Sequence, residues 1–163
     1  MRPNRNAINP PRLAIAASFL ICCLTVAVQQ VAAQEKGVWR AASKAAQSIT
    51  GDVALADQKI AINFLTFTMV KIRALDKSEL SAAFDADANA NGSGSLYKLN
   101  VPAAKKIMGH NTLCGDEDTE WMATYVAGNS LHLAFFSGEK PPVFTLDAIS
   151  NSTDLCGTYS YIR

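Results

Sequence analysis

Residues 87–98 read DANANGSGSLYK. Oxygen-bearing side chains stand at its first, third, fifth and ninth places, on Asp87, Asn89, Asn91 and Ser95, and Gly92 stands at the sixth. An EF-hand calcium loop begins this way, because alternate oxygens meet the ion and the glycine permits a sharp turn. The frame then departs from the pattern. Its twelfth residue is Lys98, a positive charge where a glutamate supplies two oxygens, and its eighth is Gly94, where an apolar residue ties the loop to its domain. Asp87 is the one carboxylate in the frame. The segment reads as a polar loop between a helix and a strand. Asp87, Asn89, Asn91 and Ser95 remain a weak calcium set, and no other cofactor is expected.

Other chemistry is sparser. Asp116, Glu117, Asp118 and Glu120 crowd into five positions, which reads as a solvated turn beside a cysteine, with a weak cation site as the alternative. His110 and His132 have no partner at metal-ligand spacing. The chain contains no G-x-S-x-G elbow, P-loop or H-E-x-x-H helix. No catalytic residue is assigned. An envelope hydrolase built from scattered residues stays open as an alternative.

The cysteines say where the chain works. Arg2, Arg5 and Arg12 precede an apolar run over residues 13–28, and Val31, Ala32 and Ala33 follow. A basic start, an apolar stretch and small residues at the end describe an export signal over residues 1–33. The run is about 16 residues, short of the roughly 20 that span a bilayer, and an uncleaved N-terminal anchor is the alternative to a cleaved signal. We therefore expect no membrane span in the mature chain, a single domain over residues 34–163, and a periplasmic or secreted location. Loss of the three arginines from the 15 basic residues leaves 12 against 14 acids, a net charge of −2. That balance excludes the basic stripe that nucleic acid demands. Cys114 and Cys156 remain, each within a Leu-Cys-Gly tripeptide. In an exported chain such a pair reads as a disulfide.

The elements that must position these groups are mostly strands. KIAINF puts Ile60, Ile62 and Phe64 on one face, and residues 56–58 turn the chain back from VALA. Further strands are expected over residues 67–72, 96–101, 121–126 and 131–136 and in the closing GTYSYI, with a hairpin at 127–130. SELSAAF predicts a short helix capped by Ser78. Pro102 predicts a second helix running to Gly109, and residues 147–149 a helical turn. WRAASKAAQS is either a helical turn or the lead into the first strand. The sum is a mainly β chain with one or two short helices. It forms a small antiparallel barrel or sandwich pinned by one disulfide.

Trp121 and Tyr125 share strand parity, as do Tyr159 and Tyr161. Such stripes fill a core, or line a space for a small apolar ligand. The stiff loop around Pro141 and Pro142 offers a surface that loses little entropy on binding. Trp121, Tyr125, Pro141 and Pro142 are therefore the candidate contact surface for a protein or small-ligand partner.

At NTLCGDEDTEWMATYVAGNSLHLAFFSG and STDLCGTYSY the chain resembles a group of small exported proteins of alphaproteobacteria with no assigned activity. The resemblance covers most of residues 37–163 and implies an exported bacterial protein. More loosely, Trp39, ITGDVAL and one disulfide are similar in plan to small-barrel inhibitors of bacterial metalloproteases, although no segment matching their inhibitory N-terminus is found. The expected function is a non-catalytic exported β-domain that binds a protein or small ligand. A secreted metalloprotease inhibitor is the alternative beside the hydrolase.

Overall fold

The computed structural model describes residues 35–87, 89 and 91–163. The expected export signal lies outside them. Eight antiparallel strands follow one another around a closed barrel. They are β1 (Gly37–Ala41), β2 (Val53–Leu55), β3 (Lys59–Ile62), β4 (Leu65–Leu75), β5 (Gly92–Val101), β6 (Thr119–Ala127), β7 (Ser130–Phe136) and β8 (Leu155–Ile162). Arg40 opposite Ile162 and Ala41 opposite Tyr161 join β1 to β8, so the sheet has no free edge along that seam. Among the described residues no helix is long and apolar enough to cross a membrane.

Strand alternation sends one set of side chains inward. Trp39, Ile60, Leu133, Phe135 and Tyr161 are completely buried there. Among the described residues the other face is covered over half the barrel only. Helix α1 (Lys77–Phe84), the segment carrying Phe144, and helix α2 (Leu146–Ser150) form a second layer over β5, β6 and β7. That layer buries Leu96, Trp121, Ala123, Tyr125 and Phe136 in a core of their own. β6 is therefore buried on both faces.

A π turn (Ala46–Thr50) closes the end of the barrel where β1 stops and β2 starts. Thr50 Oγ1 lies 2.7 Å from the Tyr161 hydroxyl, and Ile107 and Leu113 join the same core. The Cys114–Cys156 disulfide, with Cα atoms 4.8 Å apart, ties the loop before β6 to the start of β8. On chain entropy a closed loop of this length contributes about 4 kcal/mol.

Several local expectations are corrected. The expected helix from Pro102 to Gly109 does not form. Residues 102–105 make one turn, and a 3-10 turn (Met108–His110) follows. Ile107 instead takes a non-helical backbone and buries its side chain in the barrel core, so closing the barrel outweighs local helix preference. Asp76, not Ser78, caps α1. Its side chain accepts from the Glu79 N–H while Glu79 accepts from the Asp76 N–H, a full capping box. Phe64 does not continue β3. Asn63 and Phe64 form a two-residue hairpin loop, because Ile62 pairs directly with Leu65. The ambiguous stretch after Trp39 supplies both structures, the end of β1 and the π turn.

β5 begins at Gly92, inside the stretch expected to be loop. The glycines there serve packing. A Cβ at Gly94 would lie 2.0 Å from the Thr124 carbonyl oxygen and 2.6 Å from Leu80 Cδ2. One at Gly92 would lie 2.3 Å from the Tyr125 ring. Only a strand without side chains at these positions slides between β6 and α1.

Candidate functional site

The structure separates the weak calcium set. Asp87 and Asn89 are exposed and share an Asx turn, with the Asn89 N–H donating to Asp87 Oδ1 at 2.8 Å. Asn91 is exposed just before β5. Ser95 lies in the strand, buried, and its hydroxyl points into the barrel at Glu35. The pattern placed all four on one loop, but β5 turns Ser95 away. Lys98, at the twelfth place, pairs with Glu120 and sits 4.2 Å over the Trp121 ring.

The expected contact surface also divides. Trp121 and Tyr125 are each only 7% exposed, so they are not surface but the floor of the second layer. Trp121 Nε1 donates to the Gly138 carbonyl at 3.1 Å, which holds the following loop down. Pro141 is exposed and Pro142 half-buried on that loop. The parity rule found the buried stripe but could not say which of two layers it entered.

His132 lies on the covered face, as its alternation with Leu131 and Leu133 predicts. Its ring stacks on Tyr125 at 5.8 Å and lies 6.3 Å from Phe84. Ser160 Oγ is 3.1 Å from its Nδ1. Burial holds its pKa below the ordinary histidine value. Among the described residues no carboxylate bonds to this ring, so the pair lacks the third group that orients a catalytic base.

The uncovered half of the barrel carries a different feature. Val38, Ala54 and Ala61 stand side by side on the outer face of β1, β2 and β3. The two alanines leave a low floor, and an open groove of about 770 Å³ runs over it. Phe64 and Met108 wall it, with Arg40 and Asp52 at its polar side. Val38 is 68% exposed and Phe64 99% exposed. Phe64 also sits at φ +67°, beside Asn63 at +44°. The right-handed twist of paired strands demands positive φ at both central residues of such a loop, and Asn-Gly is the usual solution. A phenylalanine there is strained and gains nothing from burial.

At the opposite end from the π turn, Glu35 enters the mouth of the barrel. It is 8% exposed. Ser95 Oγ donates to its Oε1 at 3.0 Å, Thr124 Oγ1 to the same oxygen at 2.8 Å, and the Tyr97 hydroxyl to its Oε2 at 2.5 Å. Thr124 Oγ1 in turn accepts the Ser95 N–H at 3.0 Å, which directs its own proton toward the carboxylate. Burial, and then the neighbouring carboxylate, push the Tyr97 phenol well above its ordinary pKa. The Glu35 carbonyl accepts from Trp39 Nε1 at 3.0 Å, and the Lys36 carbonyl from the Arg163 guanidinium at 2.7 Å. A cavity of about 130 Å³ adjoins the site, lined in part by Lys36, Leu55, Met69 and Lys71.

The sequence marks neither Phe64 nor Glu35 as functional; Phe64 reads there as the end of the KIAINF strand. Glu35 had one signal, being the first acid of the chain. Phe64 had one in Asn63, a residue that favours positive φ. Comparison with family models, with curated proteins and with solved structures found no match for this chain.

Proposed function

We propose that this chain is a non-catalytic exported β-barrel that binds a partner protein through the outer face of β1–β3, with Phe64 as its anchor. One observation carries the proposal: a fully exposed aromatic ring held in a strained turn at the edge of an apolar groove. Strain that stability does not reward points to function. Exposed apolar patches mark interaction sites, aromatic residues including phenylalanine are enriched at interfaces, and a few anchors carry most of the binding energy. A protein partner is favoured over a small apolar ligand because Trp39, Phe135 and Tyr161 fill the barrel interior. The cavity of about 130 Å³ at its mouth is well under the 300 Å³ or so of an ordinary ligand pocket, and the groove of about 770 Å³, though large enough for a ligand, lies open on the outer face of the barrel where a protein surface can cover it.

The basic and apolar start and the small residues after it support a periplasmic or secreted setting. A disulfide fits such an oxidising compartment.

The test is site-directed photo-crosslinking in cells that export the protein, with the crosslinker at position 64 and, as control, at exposed Ile72 on β4. One adduct of defined mass at position 64 and none at 72 supports the proposal. Equal labelling or none at both positions contradicts it. Turnover of ester, peptide or glycoside substrates that His132→Ala or Ser160→Ala abolishes would overturn the non-catalytic reading. Stoichiometric inhibition within a metalloprotease panel would identify the partner as a protease.

A further inference from the structure

We infer that Ser95, Tyr97 and Thr124 form a binding site for a small monocarboxylate, which the chain fills with its own Glu35. The three hydroxyls come from neighbouring strands, β5 and β6, whose pairing fixes their positions. All lie on the inward face, where apolar side chains would fill the barrel at no polar cost. They converge instead on two carboxylate oxygens at 2.5–3.0 Å. Such a nest recognises a carboxylate as a hydrogen-bond acceptor, whatever chain or molecule bears it.

Glu35 has the character of a tethered ligand. It belongs to no strand and stands two residues before β1. Among the described residues its carboxylate bonds to these hydroxyls alone. The adjoining cavity of about 130 Å³ has room for a few heavy atoms; Lys36 at its lining is paired with Asp57, which leaves Lys71 as the lining cation that favours an incoming anion. The size limits the ligand to the class of formate, acetate or propionate. The site is separate from the Phe64 groove and stands whether or not that groove binds a protein.

The experiment uses acetate as the probe, with sodium chloride at matched ionic strength as the control. Acetate also stabilises proteins generally by exclusion from their surface, so the wild type sets the baseline. Thermal melts are recorded for wild type, Glu35→Ala and Glu35→Gln, and for the double variant Glu35→Ala with Tyr97→Phe. We expect the melting point of Glu35→Ala to rise saturably with acetate above the wild-type response. Glu35→Gln keeps the site filled with an amide and follows the wild type. The double variant needs roughly tenfold more acetate or more, since it lacks one hydrogen bond to a charged acceptor. If Glu35→Ala does not fold in chloride, acetate-dependent refolding is the supporting result. The inference is overturned if Glu35→Ala folds and responds no more than wild type. It is equally overturned if that variant stays unfolded in acetate and chloride alike while Glu35→Gln folds.

Discussion

Replacing Phe64 by glycine should make the protein more stable, although it removes the largest exposed apolar side chain of the hairpin. Phe64 is 99% exposed, so the substitution removes no burial. Its φ of +67° costs a residue with a Cβ roughly 1–2 kcal/mol. Glycine adopts that conformation freely but gives up about 0.5–1 kcal/mol in extra entropy of the unfolded chain. The net gain lies between about 0 and 1.5 kcal/mol, and its midpoint, about 0.75 kcal/mol, raises the melting point by roughly 2–4 °C for a domain of this size. Phe64→Ala separates the two contributions. It removes the ring, keeps the strain, and should melt within about 2 °C of wild type. Differential scanning calorimetry of the three proteins is the assay. A fall in the melting point of Phe64→Gly would refute the reasoning, because it would mean the ring supports the fold rather than facing a partner.

Four further outcomes follow from the same structure. Gly94→Ala should destabilise by about 3 kcal/mol in denaturant unfolding, because its Cβ meets the β6 backbone, a rigid neighbour. Reduction of Cys114–Cys156 should lower stability by up to about 4 kcal/mol, read from melts with and without reductant. Tyr97, Tyr159 and Tyr161 keep their phenol protons to higher pH than in the unfolded chain. Above pH about 10 the folded state then binds more protons, so stability is fully present below that pH and falls as pH rises, which alkaline melts will show. Melts in excess calcium and in chelator should coincide, since Ser95 is engaged with Glu35; a calcium shift lost in Asp87→Ala would return the loop to consideration.

The barrel itself was legible because its strands alternate. Ile60 and Ile62, Leu131 and Leu133, and Tyr159 and Tyr161 each point inward as the period of two requires. What was not legible depended on neighbours far away in sequence. Gly92, Ser93, Gly94 and Ser95 have the composition of a loop, yet they form a strand because α1 and β6 leave no room for side chains. Trp121 and Tyr125 announce burial, but only the second layer of α1 and α2 decides that they lie outside the barrel. The segment after Pro102 has the letters of a helix and gives it up to bury Ile107. The Glu35 nest joins residues 60 and 89 positions apart, which no local pattern carries. Phe64 was placed by parity on the inward face, one residue beyond the point where the hairpin loop begins.

The central claim is that Phe64 and its groove bind a protein. Its most direct test is the affinity of the partner trapped at position 64, measured by titration calorimetry against wild type and Phe64→Gly. Loss of an aromatic anchor costs about 2 kcal/mol or more, so the variant should bind at least roughly 30-fold more weakly while melting no lower. Equal affinity for the two proteins would contradict the claim.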